Sequence, residues 1–208
     1  MQKYVSKRCI EGYVKQKPVC GDYPTREWAE WSMKSHTEEE IKERVLENRE
    51  SVCYSYICKN SRLSEKFIIE LAVISLDGSI TKENYTERMN KLVPLFNEFY
   101  DNRLDWLAIS TYQKLSIEFI DKYKPLLDGS SIVKNQSLTE EFIKNNVCTF
   151  VHPLLAMQCQ RNNISKDFYL HLELIYKNFD KYMKAINENN AEYINSIWNK
   201  KITRHEKE

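Results

Sequence analysis

The sequence predicts an all-α protein: an irregular array of helical hairpins, a short α-solenoid-like body, with a less regular N-terminal arm. Three observations predict it. A six-residue helix-start pattern recurs along the chain. Each copy is followed by apolar residues at helical spacing. Gly 4 and Pro 5 are few in 208 residues, which disfavours a turn-rich β-sandwich or barrel. Hydrophobic residues at 42% and charged residues at 29% match ordinary globular usage. A core at this length holds without disulfides or metals.

The pattern is an apolar residue, Ser or Thr, any residue, a charged residue, then usually an aromatic and an aliphatic. It reads Leu63-Ser64-Glu65-Lys66-Phe67-Ile68 and Leu115-Ser116-Ile117-Glu118-Phe119-Ile120. It returns as Leu138-Thr139-Glu140-Glu141-Phe142-Ile143 and Ile164-Ser165-Lys166-Asp167-Phe168-Tyr169. Weaker copies are His36-Thr37-Glu38-Glu39-Glu40-Ile41 and Ile80-Thr81-Lys82-Glu83-Asn84-Tyr85. The hydroxyl is an N-cap that accepts a free N–H of the first turn. Acidic residues in that turn face the positive end of the helix dipole. The preceding apolar residue can act as a hydrophobic staple. The pattern predicts helices starting at or beside Thr25, Thr37, Ser64, Thr81, Ser116, Thr139 and Ser165. Phe67, Phe119, Phe142 and Phe168 hold one position and are expected in the core.

An upstream element completes the unit. Ile57, Ile74, Ile109 and Ile132 each stand six residues before the apolar residue of a copy. Two units, 105–120 and 128–143, match best, and Gln113 and Gln136 share a place in them. Each unit reads as a short helix, a polar turn and a capped longer helix. The cap spacings are uneven, and the insertion from Glu83 to Tyr100 reads as a longer helix.

The segment Asp105 to Ile120, followed by Asp121-Lys122-Tyr123-Lys124, resembles a degenerate repeat of uncharacterised proteins of large DNA viruses and large bacteriophages. There an Asp-Trp plus Ile-Ser block alternates with a Leu-Ser-x-Glu-Phe-Ile block. The resemblance covers roughly 52–170 and is specific at 105–143. The pattern has Trp where Gly129 stands. It implies a viral or phage origin and a helical array, and no enzymatic activity.

The flanks complete the division. Residues 1–25 form an N-terminal arm, 26–200 a single helical-repeat domain, and 201–208 a frayed charged tail. Trp28, Ala29 and Trp31 supply apolar area to a first helix around Thr25 to Lys34. Thr37 to Glu40 is a capping box whose helix runs to about Arg49. From Ser165 one long helix is expected, with Phe168, Leu172, Ile175, Phe179, Tyr182, Met183 and Ile186 on its apolar face. Asn187 to Asn190 breaks it, and Ala191 to Trp198 follows as a short helix.

Candidate chemistry is sparse. Cys148, His152, Cys159 and His171 are the one local Cys/His gathering, but their spacing matches no common zinc pattern. A core cysteine with capping or surface histidines is the simpler reading. No Gly-rich phosphate loop exists, because the glycines are scattered at 12, 21, 78 and 129. The start is polar and basic, unlike a secretory signal. No apolar run is long enough to span a membrane. Cys9, Cys20, Cys53, Cys58, Cys148 and Cys159 read as reduced thiols of a cytoplasmic protein.

A net charge of +1 argues against a broad nucleic-acid surface. A local basic patch remains at Lys3, Lys7, Arg8, Lys15 and Lys17, interleaved with Tyr4, Tyr13 and Tyr23. The favoured function is non-enzymatic protein binding, with no cofactor and no metal. The candidate partner-binding residues are Trp106, Tyr112, Lys7 and Arg8. With the resemblance, the partner is a host protein in the host cytoplasm, such as a defence component, or a viral assembly protein. The alternatives are nucleic-acid binding by the N-terminal arm, and an enzyme or metal protein at Cys148, His152, Cys159 and His171.

Overall fold

The structure is a computed structural model, and it describes residues 30–48, 52–94 and 104–200. The described residues form α-helices joined by short links, with no strand among them beyond one isolated bridge between Val147 and Val151. The chain divides into two compact units, Met1–Leu127 and Asp128–Glu208.

In the first unit, α1 (Glu38–Asn48), α2 (Tyr54–Asn60) and α3 (Glu65–Leu76) follow a helical turn at 30–32. Then come α4 (Tyr85–Leu92), α5 (Trp106–Tyr112) and α6 (Ile117–Tyr123). α1 packs on α3, α2 on α5, and α3 on α4. α3 is buried along most of its length, with Phe67, Ile68, Ile69, Leu71, Ala72, Val73 and Ile74 all in the core. That is why its sequence reads as almost continuously apolar.

The second unit holds α7 (Gly129–Asn135), α8 (Glu140–Asn146), α9 (Pro153–Cys159) and α10 (Lys166–Lys177). It ends with α11 (Phe179–Asn187) and α12 (Ala191–Trp198). α9 packs on both α7 and α10, and α12 on α10 and α11.

Five helix starts are identical in detail. The N–H of the third helical residue donates to the cap oxygen at Thr37 (from Glu40, 3.3 Å), Ser64 (Phe67, 3.2 Å) and Ser116 (Phe119, 3.1 Å). Thr139 takes the N–H of Phe142 at 3.1 Å and Ser165 that of Phe168 at 3.2 Å. At Thr37 the reciprocal bond is present too, from its N–H to Glu40 Oε2 at 2.8 Å, completing the capping box. Phe67, Phe119, Phe142 and Phe168 are all buried.

Two expectations are corrected. Thr81 does not cap a helix: its N–H donates to Asn84 Oδ1, and α4 starts only at Tyr85. An asparagine amide closes that turn before a hydroxyl can, so the helix over the 83–100 insertion begins late. The long helix from Ser165 to Ile186 is two helices. Asn178, at φ −114° and ψ 30°, ends α10 and precedes α11, with its Nδ2 donating to the Leu174 carbonyl at 2.9 Å. The Leu174 carbonyl thus accepts from both the backbone N–H and the side chain of Asn178, a local side-chain bond of the kind that favours helix ends. Trp106, Ile109 and Tyr112 do not lie equally deep: Ile109 is 0% exposed, Trp106 half-buried and Tyr112 53% exposed. Steps of three residues turn about 60° short of a full circle, so three such residues fan across the helix surface. Thr25, the arm at 1–25 with Lys7 and Arg8, and the tail at 201–208 lie outside the described residues.

Candidate interaction surface at the Gln113 corner

The link residues explain how one helix pair is fixed to another. Gln113 follows α5 and is buried. Its Oε1 accepts the N–H of Leu63 at 2.8 Å. Its Nε2 donates to the carbonyls of Cys58 and of Ser61, the latter at 2.8 Å. One amide thus satisfies three backbone groups at the end of α2 and in the 61–64 link. Left alone, those groups would be buried without partners.

Gln160 repeats this arrangement in the second unit. Its Oε1 accepts from Leu138 N–H at 3.0 Å, and its Nε2 donates to the carbonyls of Val133 at 2.6 Å and Gln136 at 2.7 Å. Ser61 makes the smaller version, taking the His36 N–H at 3.0 Å. In every case the donor residue precedes a cap.

A second series links cap to cap. The backbone N–H of Ser64 donates to the Glu38 carboxylate, that of Ser116 to Glu65, and that of Ser165 to Glu140. Each glutamate is the first residue of a capped helix. Its carboxylate spends its charge on the next cap, close to the positive ends of helices.

The corner around Gln113 carries a cluster of exposed residues. Lys59, Asn60, Ser61, Arg62, Tyr112 and Lys114 line an open hollow of about 320 Å3. Tyr112 and Lys114 flank Gln113, so the clamp that joins α5 to α2 also sets the two walls of the hollow against each other. Lys59 Nζ lies 5.6 Å from the centre of the Tyr112 ring, within cation–π range. Lys59, Arg62 and Lys114 are all exposed. Tyr112 is therefore placed at a rigid corner among cations; Trp106, at the other end of α5, is half-buried and lies outside the hollow.

The Cys/His gathering does not assemble. Cys148 sits at φ 66° in the turn after α8, and burial pushes its thiol up to about 12. Its backbone N–H donates to the Val151 carbonyl at 2.8 Å. His152 precedes α9 and packs its ring against Phe179 at 5.5 Å and Tyr176 at 6.2 Å. Cys159 is exposed. Both ring nitrogens of His171 are engaged by backbone carbonyls, Nδ1 with Asp167 at 2.8 Å and Nε2 with Lys200 at 3.1 Å, and its ring stacks on Trp198. Among the described residues no group of three His, Cys, Asp or Glu is placed to hold a metal. Cys53 and Cys58 are buried free thiols, and burial raises Cys58 far above the usual thiol range. That protonated state suits packing and not nucleophilic attack.

No described helix is long and apolar enough to cross a membrane. Comparison with protein-family models, curated proteins and solved structures finds no match to the chain.

Proposed function

We propose that this chain is a non-enzymatic protein-binding module that docks a host protein at the Gln113 corner. The supporting observation is Tyr112: a large aromatic, 53% exposed, on a corner whose backbone is locked by the Gln113 amide. Exposed aromatics are enriched among binding hot spots. A surface already held in one conformation loses little entropy on binding. The viral or phage origin and the host partner rest on the sequence resemblance, with a defence component as one example and a viral assembly protein as the other partner class.

The test pairs stability with capture. The tagged protein is used to capture partners from extracts of the natural host, with mass spectrometry as readout. Tyr112→Ala should leave the melting temperature nearly unchanged, because surface substitutions usually fall within about 0.5 kcal/mol. It should also remove the captured partner. Trp106→Ala should lower the melting temperature, because the indole is half-buried. A partner retained in full by Tyr112→Ala would overturn the docking role.

A further inference from the structure

We propose that the hollow at the Gln113 corner receives a carboxylate-rich peptide segment of the partner; this deepens the docking role of Tyr112 and rests on it. The lining supplies three cations, Lys59, Arg62 and Lys114, and no carboxylate. None of the three enters an ion pair among the described residues. Lys59 faces the Tyr112 ring, and Arg62 and Lys114 line the same hollow. A guanidinium takes a carboxylate through two parallel hydrogen bonds, and an ammonium takes one as a point charge. The tyrosine face supplies apolar area for the stem of an acidic side chain.

Size and layout favour a peptide over nucleic acid. A space of about 320 Å3 holds a few side chains. Single-stranded nucleic acid is held along several nucleotides, by successive stacked bases and a cationic groove. Here one ring stands alone, and the whole chain carries a net charge of +1.

The second unit contains a natural control. The Gln160 clamp places Lys134, Asn135, Gln136, Ser137, Cys159 and Arg161 where the first unit has Lys59, Asn60, Ser61, Arg62, Tyr112 and Lys114. The backbone bonding is the same. The differences are Ser137 for Arg62 and Cys159 for Tyr112, so one cation and the ring are missing there.

Fluorescence anisotropy of the full chain with labelled polyglutamate, polylysine and oligothymidylate tests the proposal, with melting temperature checking the fold of each variant. Polyglutamate should bind, and its affinity should fall with salt. Lys59→Glu/Lys114→Glu should weaken it by about tenfold or more. Arg62→Ser/Tyr112→Cys, which gives the first corner the residues of the second, should weaken it comparably. Lys134→Glu/Arg161→Glu should change it by no more than about twofold, since those cations lie at the other clamp. Three results would overturn the proposal: no polyglutamate binding, equal losses from both corners, or tighter binding of oligothymidylate. Partner capture that depends on Tyr112 but ignores Lys59→Glu/Lys114→Glu would sink this inference and leave the docking role standing. Capture indifferent to Tyr112 would sink the docking role itself.

Discussion

Gln113 shows how much one side chain carries here. Its amide closes three backbone hydrogen bonds in a buried link. Gln113→Ala would strand two carbonyls and an N–H, and each stranded buried group costs about 1–3 kcal/mol. A urea melt should show destabilisation of at least about 2 kcal/mol. Gln160→Ala should behave alike. The sequence places Gln113 and Gln136 at the same position of two units, but it does not disclose the clamp, because the partners Cys58, Ser61 and Leu63 lie far back in the chain. Gln160 escaped the comparison because its link to Ser165 is longer than that from Gln113 to Ser116. Gly129 has an equally specific cause. A Cβ there would stand 2.3 Å from the Phe150 carbonyl oxygen, so the tryptophan of the best-preserved unit has no room. Gly129→Ala should cost about 1–3 kcal/mol in the same melt. At the first cap, the Thr37 N–H and then its hydroxyl hold the Glu40 carboxyl below its ordinary pKa. A depressed folded-state pKa stabilises above the unfolded value, and that contribution fades as pH falls through the folded value. Glu40→Gln should therefore lower the melting temperature at neutral pH and have less effect in acid.

Seven of the described helices begin at a hydroxyl or a short carboxylate that caps the first turn. Five of the starts read from the repeated pattern are present, down to the bond from the third helical N–H. Hence Ser116→Ala should cost about 1 kcal/mol, the usual loss of a cap. Phe119→Ala, three residues on, should cost about 3–5 kcal/mol. A ratio near unity in a denaturant titration would mean that α6 is not anchored through its phenylalanine. The short helices have caps of their own that the pattern did not include. Asp105 Oδ1 takes the Ala108 N–H at 2.9 Å, and Asp128 Oδ2 takes the Ser131 N–H at 2.7 Å. The aspartates were visible at the head of each unit; their function was not, since a polar residue in a turn has many uses. The break at Asn178 was hidden for a different reason. Apolar spacing continues through it, from Ile175 to Phe179 and Tyr182, so periodicity alone reads one helix.

Across the whole molecule, the same bonds recur in both units while the residues around them change. The boundary between Leu127 and Asp128 falls inside the stretch read as one domain over 26–200. The recurring backbone links are a scaffold, and function is expected where exposed residues depart from the shared pattern. Tyr112 and Arg62 are such departures; Cys159 and Ser137 hold their places at the second clamp. The most direct measurement of the central claim is site-specific photo-crosslinking in host extract. A photo-reactive phenylalanine analogue is placed at Tyr112 in one sample and at Cys159 in another, and adducts are identified by mass spectrometry. A docking corner at Gln113 predicts a single dominant adduct from position 112 and little from 159. Equal adducts from both positions, or none from 112 while capture by the wild-type chain persists, would contradict it.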